Sequence, residues 1–261
     1  MKFIQSRDNP FFKELRRLVD SSRERRKAGL TVLDGMHLIR AYEEAIGPVQ
    51  TLVVGERGGQ TAEIADYVAC RQTVLLSDAL FRELGIVDSP SGIVALAAMP
   101  QVGRQPDFGA DSVLLDGIQD PGNVGTLLRT AAAAGFRQVL LSGDCASAWS
   151  PKVLRAGQGA HFALDVIEDV DLPAFLGAYR GTAAATCLDG AQSLFTADFG
   201  REPMVWVFGS EGQGVRPEVL AAAGLKVRIP MPGAVESLNV GAAAAICLFE
   251  TVRRRLAAAG G

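Results

Sequence analysis

The sequence predicts an α/β protein: a small alternating β/α unit followed by a larger one with a mostly parallel sheet. Short apolar stretches, Leu114-Leu115 and Met204 to Phe208 among them, lack the two-fold alternation of a half-exposed strand, so both faces should be covered. Helix-forming segments separate them. Between the two series, Met99 to Gly109 has no periodicity and holds two Pro and two Gly, which reads as an interdomain linker. The expected domains are therefore residues 1–98 and 110–261, joined by 99–109.

In the first unit, residues 10–28 read as a basic amphipathic helix with Phe11, Leu15, Leu18 and Val19 on its apolar side. Leu30 to Leu33 is a strand, His37 to Ala45 a helix, Val49 to Val54 a strand and Ala62 to Ala69 a helix. Thr73 to Leu76 is a strand, Asp78 to Leu84 a short helix with Asp78 as its N-cap, and Ile93 to Ala98 the last strand. The second unit opens with the strand Ser112 to Leu115 and the helix Gly125 to Ala134. Gln138 to Ser142, Ala163 to Val166, Thr182 to Thr186, Met204 to Phe208 and Lys226 to Ile229 follow as strands. Pro151 to Ala156 starts a helix; Leu172 to Ala178 and Pro217 to Ala223 are helices. The last helix, Ala242 to Leu256, is apolar along most of its length and should be buried.

Composition narrows the classes. The 261 residues are 48% hydrophobic and 21% charged, which supports a real core and excludes disorder. No apolar run reaches the roughly 18 to 20 residues that span a bilayer, and the first eight residues lack the apolar core of a signal peptide, so a cytoplasmic protein is expected. Cys70, Cys145, Cys187 and Cys247 form no CxxC, and His37 and His161 are the only histidines. Reduced, mostly buried thiols and no metal site are expected. The net charge of −3 argues against bulk nucleic-acid affinity, yet residues 1–40 carry ten Lys/Arg against five acids. That face either contacts phosphates or is simply solvated.

Three loops of the second unit stand where strands turn into helices, the usual ligand position in such sheets. The first, Leu114 to Gly125, contains Pro121-Gly122-Asn123 and leads to Arg129, a lone guanidinium on a small apolar helix. Asn123 either caps that helix or binds a ligand, and Arg129 suits a phosphate or a developing oxyanion. The second, Gly209-Ser210-Glu211-Gly212-Gln213-Gly214, is G-x-x-G-x-G with no Lys-Ser/Thr behind it, hence neither a dinucleotide fingerprint nor a P-loop. Glu211 there repels phosphate and favours a neutral or cationic ligand. The third, Ile229 to Gly241, brings Ser237 and Asn239 to the start of the final helix, as caps or as ligand groups.

Asn123-Val124-Gly125 with Arg129, Phe208 to Gly214, and Ile229-Pro230-Met231 to Ser237-Leu238-Asn239-Val240 resemble the three motifs of the SpoU/TrmH RNA 2′-O-ribose methyltransferases of the SPOUT superfamily, in order and spacing. The first 98 residues resemble the ribosomal-protein-type α/β substrate-binding domain that often precedes that catalytic domain. Ser6-Arg7-Asp8-Asn9-Pro10 with Lys13, and Arg25-Arg26-Lys27, are typical of it. One departure is Ser89-Pro90-Ser91-Gly92-Ile93-Val94-Ala95, which replaces the His-Gln-Gly-Ile-Val-Ala common in relatives.

The resemblance implies a trefoil-knotted catalytic domain acting as a homodimer, S-adenosylmethionine as cofactor, and structured RNA as substrate, with ribosomal RNA (a 23S guanosine) preferred and transfer RNA the second choice. Carried over by motif, cofactor contacts fall on Gly209, Ile229 and Leu238, with Leu188, Glu211, Met231 and Ser237 as neighbours. Arg129 falls at the 2′-hydroxyl, supported by Asn123, Glu211, Ser237 and Asn239. Arg7, Lys13, Arg17, Arg25, Arg26 and Lys27 would contact RNA. A non-catalytic RNA-binding protein of the same fold would bind RNA but no cofactor; the joint presence of the five polar motif residues argues against it. A generic nucleotide-cofactor α/β enzyme lacks its fingerprint.

Overall fold

The computed structural model describes residues 2–86, 91–100, 105–200 and 203–259. Its elements begin with β1 (Lys2–Ile4), α1 (Pro10–Asp20), α2 (Ser22–Ala28), β2 (Leu30–Asp34), α3 (Met36–Ala45), β3 (Thr51–Gly55), α4 (Ala62–Val68), β4 (Thr73–Leu76), α5 (Asp78–Glu83) and β5 (Ile93–Ala98). They continue with β6 (Ser112–Asp116), α6 (Pro121–Ala133), β7 (Gln138–Leu141), α7 (Pro151–Gly157), β8 (Asp165–Ile167), α8 (Leu172–Ala178) and β9 (Thr182–Thr186). The last are β10 (Gln192–Ser193), β11 (Met204–Gly209), α9 (Pro217–Ala222), β12 (Leu225–Arg228) and α10 (Val240–Ala259). The chain divides into two compact units: Met1–Val102 with Trp149–Phe162, and Gly103–Ala148 with Ala163–Gly261.

In the first unit the strand order is β1-β4-β3-β5-β2. β4 is parallel to β1 and β3, while β5 runs antiparallel to both β2 and β3. Phe12, Leu15 and Leu18 of α1 pack with Val32, Val53, Leu76 and Val94. Phe12 rather than Phe11 is the fully buried ring; Phe11 and Val19 flank the core.

The expected single helix over residues 10–28 is broken at Ser21, which is extended (φ −122°, ψ 116°). Its hydroxyl accepts from the Glu24 N–H at 3.3 Å and so caps α2. A serine offers the backbone this alternative to helix continuation. Likewise Ser77, not Asp78, caps α5, accepting from the Leu80 N–H. The freed Asp78 carboxylate accepts from the Arg57 N–H at 3.0 Å.

The segment around α7 follows strands of the second series in the chain yet packs with the first unit. Thr31 Oγ1 donates to the Trp149 carbonyl at 2.7 Å. Arg155 pairs with Asp34, whose other oxygen accepts from Ser91 Oγ at 2.6 Å. Phe162 meets Tyr42 edge-on at 5.4 Å. These contacts cover β2 with residues more than a hundred positions away.

The second sheet has the order β10-β12-β9-β11-β6-β7-β8, and all its pairings are parallel. β6 and β11 are buried along their whole length, as the apolar runs Val113 to Leu115 and Met204 to Phe208 require. The indole N–H of Trp206 donates to Thr251 Oγ1 of α10 at 3.0 Å. The chain runs outward from β6 through β7 to β8, then returns on the other side of β6. The ends of the expected linker are held: the Met99 N–H donates to the Gly29 carbonyl at 2.8 Å, and Phe108 stacks on Phe175 at 5.2 Å. Its middle, 101–104, lies outside the described residues, as do Ser89 and Pro90 of the divergent motif.

α10 was expected to be buried but is covered on one side. Ala244, Cys247, Leu248 and Thr251 are buried, whereas Ile246, Phe249 and Leu256 are exposed. Near its end Glu250 accepts from Arg253 and Arg254. Arg254 also donates to the Leu194 and Ala197 carbonyls and lies 4.4 Å over the Phe199 ring.

Two tests follow from these pairs. Arg155→Met should leave the buried Asp34 with only its Ser91 bond and lower stability by about 1–2 kcal/mol in urea unfolding. The Glu250 carboxyl is held at about 2, chiefly by its bond from Arg253, below its ordinary 4.5. Its folded-state pKa is depressed, so its stabilisation is present above about pH 4.5 and is lost as pH falls toward 2. Glu250→Gln should remove that part of the acid limb in a thermal-unfolding series.

Candidate active site

Four neighbouring strands, β12-β9-β11-β6, end side by side in the second unit. Three strand spacings put these ends within about 14 Å. The loops leaving them carry Ile229, Met231, Ser237, Leu238 and Asn239 after β12, Leu188 after β9, Glu211 after Gly209 of β11, and Asn123 after β6. Side-by-side parallel strands with carboxyl ends aligned are what convert distant sequence positions into one site.

Three of these side chains are bonded together. Asn123 Nδ2 donates to Glu211 Oε1 at 2.7 Å, and Asn239 Nδ2 donates to the same oxygen at 2.9 Å. Asn239 Nδ2 also reaches Asn123 Oδ1 at 3.1 Å. Asn123 is not the cap of α6: Asp120 is, accepting from the Asn123 N–H at 2.8 Å. The Asn123 amide is therefore available for the network. Asn239 does both jobs. Its Oδ1 accepts from the Gly241 N–H at 2.9 Å at the head of α10, while its Nδ2 serves the network. A Cβ on Gly241 would lie 2.9 Å from Thr126 Cγ2, so only glycine lets α10 approach α6 this closely.

The turn that carries Glu211 is built from backbone. Gly214 N–H donates to the Ser210 carbonyl at 2.8 Å, and the two residues form a bridge. A Cβ on Gly209 would lie 2.0 Å from the Gly214 carbonyl carbon. The glycine thus serves a fold-back of the chain on itself. The turn closes on Asp116. Its carboxylate, fully buried, accepts from the Arg216 N–H at 2.7 Å and from Nε at 2.7 Å. Partial burial opposes the Arg216 charge, but the bond it donates to Asp116 and the nearby carboxylates outweigh it, and its pKa is raised. Neither residue was singled out in the sequence. The available signal was an Asp ending an otherwise apolar strand, since a buried carboxylate demands a partner.

The remaining expected residues are less closely engaged. Leu188 and Leu238 are 61% and 37% exposed; Ile229 and Met231 are half-buried. Ser237 is exposed and outside the network. Arg129 is exposed on α6, and among the described residues it has no ion-pair partner. In the first unit Arg7 pairs with Glu83 at 2.6 Å and Lys13 with Asp8 at 2.8 Å, while Arg17, Arg26 and Lys27 are exposed. Arg25 does not fit an RNA-contact role. It is 3% exposed and donates to the Leu18 and Val19 carbonyls, closing the end of α1. The thiols also depart from expectation: Cys70 is exposed and Cys247 alone is buried, its pKa pushed up to about 12 by burial.

The site suits a cationic cofactor with an apolar body. Exposed Leu188 and Leu238 offer apolar cover, the residues flanking Pro230 offer backbone groups, and the carboxylate of Glu211 disfavours a polyphosphate. S-adenosylmethionine has these features.

A parallel α/β unit with a loop-built polar site at its carboxyl edge, accompanied by a small mixed-sheet unit, defines the class. Residues 111–249 match the model of the SpoU rRNA methylase family, and residues 9–95 match an MRM3-like substrate-binding domain. The chain belongs to the SpoU rRNA methylase family. It is 34% identical to an uncharacterized tRNA/rRNA methyltransferase of Synechocystis sp., over 98% of this chain and 95% of the relative. It is 30% identical to the 23S rRNA (guanosine(2553)-2′-O)-methyltransferase RlmP of Bacillus subtilis, over 95% and 98%. The crystal structure of an AdoMet-bound rRNA methyltransferase from Sinorhizobium meliloti superposes with a TM-score of 0.80 at 28% identity, covering 97% of this chain and 98% of that one.

Asn239→Asp tests the network. The cap acceptor is kept, but a second carboxylate faces Glu211. Like charges raise a folded-state carboxyl pKa, so the loss of stability is present at neutral pH and is recovered on acidification. Thermal melts at pH 7 and pH 4 should differ from wild type by about 1 kcal/mol at the former only.

Proposed function

We propose that the protein transfers a methyl group from S-adenosylmethionine to a ribose 2′-hydroxyl of ribosomal RNA, a 23S guanosine being favoured over transfer RNA. The observation that carries this reading is the Asn123–Glu211–Asn239 network at the edge where cofactor loops converge. A non-catalytic RNA-binding protein would have no use for that network.

S-adenosylmethionine supplies an electrophilic methyl carbon. Ile229, Leu238, Leu188 and Met231, with the backbone at Gly209 and the Ser237 hydroxyl, would hold it. The two asparagine amides fix one Glu211 oxygen. Its other oxygen would accept the ribose hydroxyl's hydrogen bond, orient the attacking lone pair and take up the hydroxyl proton on methyl transfer. The Arg129 guanidinium, which carries donors and no acceptor, donates to the hydroxyl and adjacent phosphate and stabilises the developing alkoxide. Since no bond joins Arg129 to the network among the described residues, we assign it to a site completed in a homodimer. The exposed Ile246, Phe249 and Leu256 of α10 supply the apolar surface for that contact.

We read the chain segments around the cofactor loops as a trefoil knot and the first unit as the RNA-docking part. Arg7, Lys13, Arg17, Arg26 and Lys27 are its contacts. No described helix is long and apolar enough to cross a membrane; we place the protein in the cytoplasm with its RNA.

Incubation with RNA and methyl-labelled S-adenosylmethionine, then alkaline hydrolysis, tests the activity. A 2′-O-methyl blocks cleavage of its own linkage, so label should remain in dinucleotides. Label in mononucleotides would sink the reading. Arg129→Ala should reduce transfer by about a hundredfold or more while calorimetry with S-adenosylhomocysteine gives wild-type affinity.

A further inference from the structure

Gly209, the last residue of β11, is the register partner of Asp116, the last residue of β6. From Gly209 the chain makes the turn bearing Glu211 and comes back at Arg216, whose N–H and guanidinium both bind the Asp116 carboxylate. That turn is therefore tied to Asp116 at both ends. Asp116 also begins the other arm of the site. The next residue, Gly117 (φ +68°), donates its N–H to Ser142 Oγ at 2.9 Å, and the chain then leads to Asp120 and Asn123. Ser142 Oγ in turn donates to Asp144, a second carboxylate near Arg216. One buried carboxylate thus sits where the Glu211 arm and the Asn123 arm meet, and only 2.7 Å separates their tips.

We infer that Asp116 and Arg216 are positioning residues for methyl transfer: they set where Glu211 stands relative to Asn123 and Asn239. The inference rests on the activity proposed above. Neither residue needs to touch RNA or cofactor. The Asp116 side chain has no exposed surface, and the guanidinium is committed to it at two points. A lysine cannot reproduce that paired contact, because an ammonium is a single point charge. Loss of the clamp leaves the Ser210–Gly214 turn formed but free to move against β6. A displacement of about 1 Å at a reacting group costs on the order of a hundredfold in rate.

The test is a double-mutant cycle on the full-length protein, with Arg216→Ala, Arg216→Lys and Glu211→Gln, alone and combined. Arg216→Ala should lower kcat by about a hundredfold, with KM for RNA within about twofold and RNA binding unchanged. Arg216→Lys should recover part of the loss. On a Glu211→Gln background the Arg216→Ala effect should disappear, because Arg216 acts through Glu211; multiplying effects would mean general damage and overturn the inference. Hydrogen exchange read in parallel should show faster exchange confined to the 210–216 amides in Arg216→Ala. Unchanged exchange there would also overturn it. If the wild-type protein methylates no RNA, the assigned activity falls, and exchange at 210–216 still decides whether the clamp anchors the turn.

Discussion

The Asp116 carboxylate is buried at the end of an apolar strand, a position that no carboxylate occupies without compensation. Its partners are supplied by Arg216, a hundred positions further on. That one pairing converts the parallel register of β6 and β11 into a fixed distance between two loops. The ladder aligns the strand ends, and the ion pair returns the outgoing chain to the point it left. The Glu211 arm and the Asn123 arm both start from this junction.

Asn239 shows how such a site is stabilised at little expense. An asparagine has two faces to its amide, one accepting and one donating. Here the acceptor satisfies the orphan N–H groups at the head of α10, and the donor reaches Glu211. Helix capping and ligand-site organisation are therefore the same residue. The close seating of α10 on α6, permitted by Gly241, is what brings both asparagines within reach.

Much of this was legible in the sequence because the catalytic loops are local objects. Asn123, Glu211 and Asn239 could be singled out from turn chemistry and from small polar residues beside apolar strands. The longer strands β6, β9 and β11 announced themselves by unbroken apolar runs. What was hidden is non-local or depends on one competing interaction. β1 and β10, at three and two residues, have no periodicity to read and exist through pairing with β4 and β12. The break at Ser21 turned on one hydroxyl outcompeting a helical bond. Arg25 looks like its exposed neighbours until the end of α1 closes over it. The placement of α7 follows from Asp34 and Thr31, which seek partners that no local pattern reveals.

The contacts of α7 also bear on how the chain acquires its fold during synthesis. Asp34 and Arg155 are 121 positions apart, and between them lie β6, α6 and β7 of the other unit. On a ribosome the N-terminal sheet can pair its own strands early, since β1 to β5 are all made by residue 98. Its β2 side stays uncovered until residue 162 has emerged, when two strands of a different sheet, β6 and β7, have been made as well. The usual order, in which an N-terminal domain finishes before the next begins, is unavailable to this chain. The first unit therefore gains its last contacts only after part of the second has been made, with the late helix as the piece that closes it.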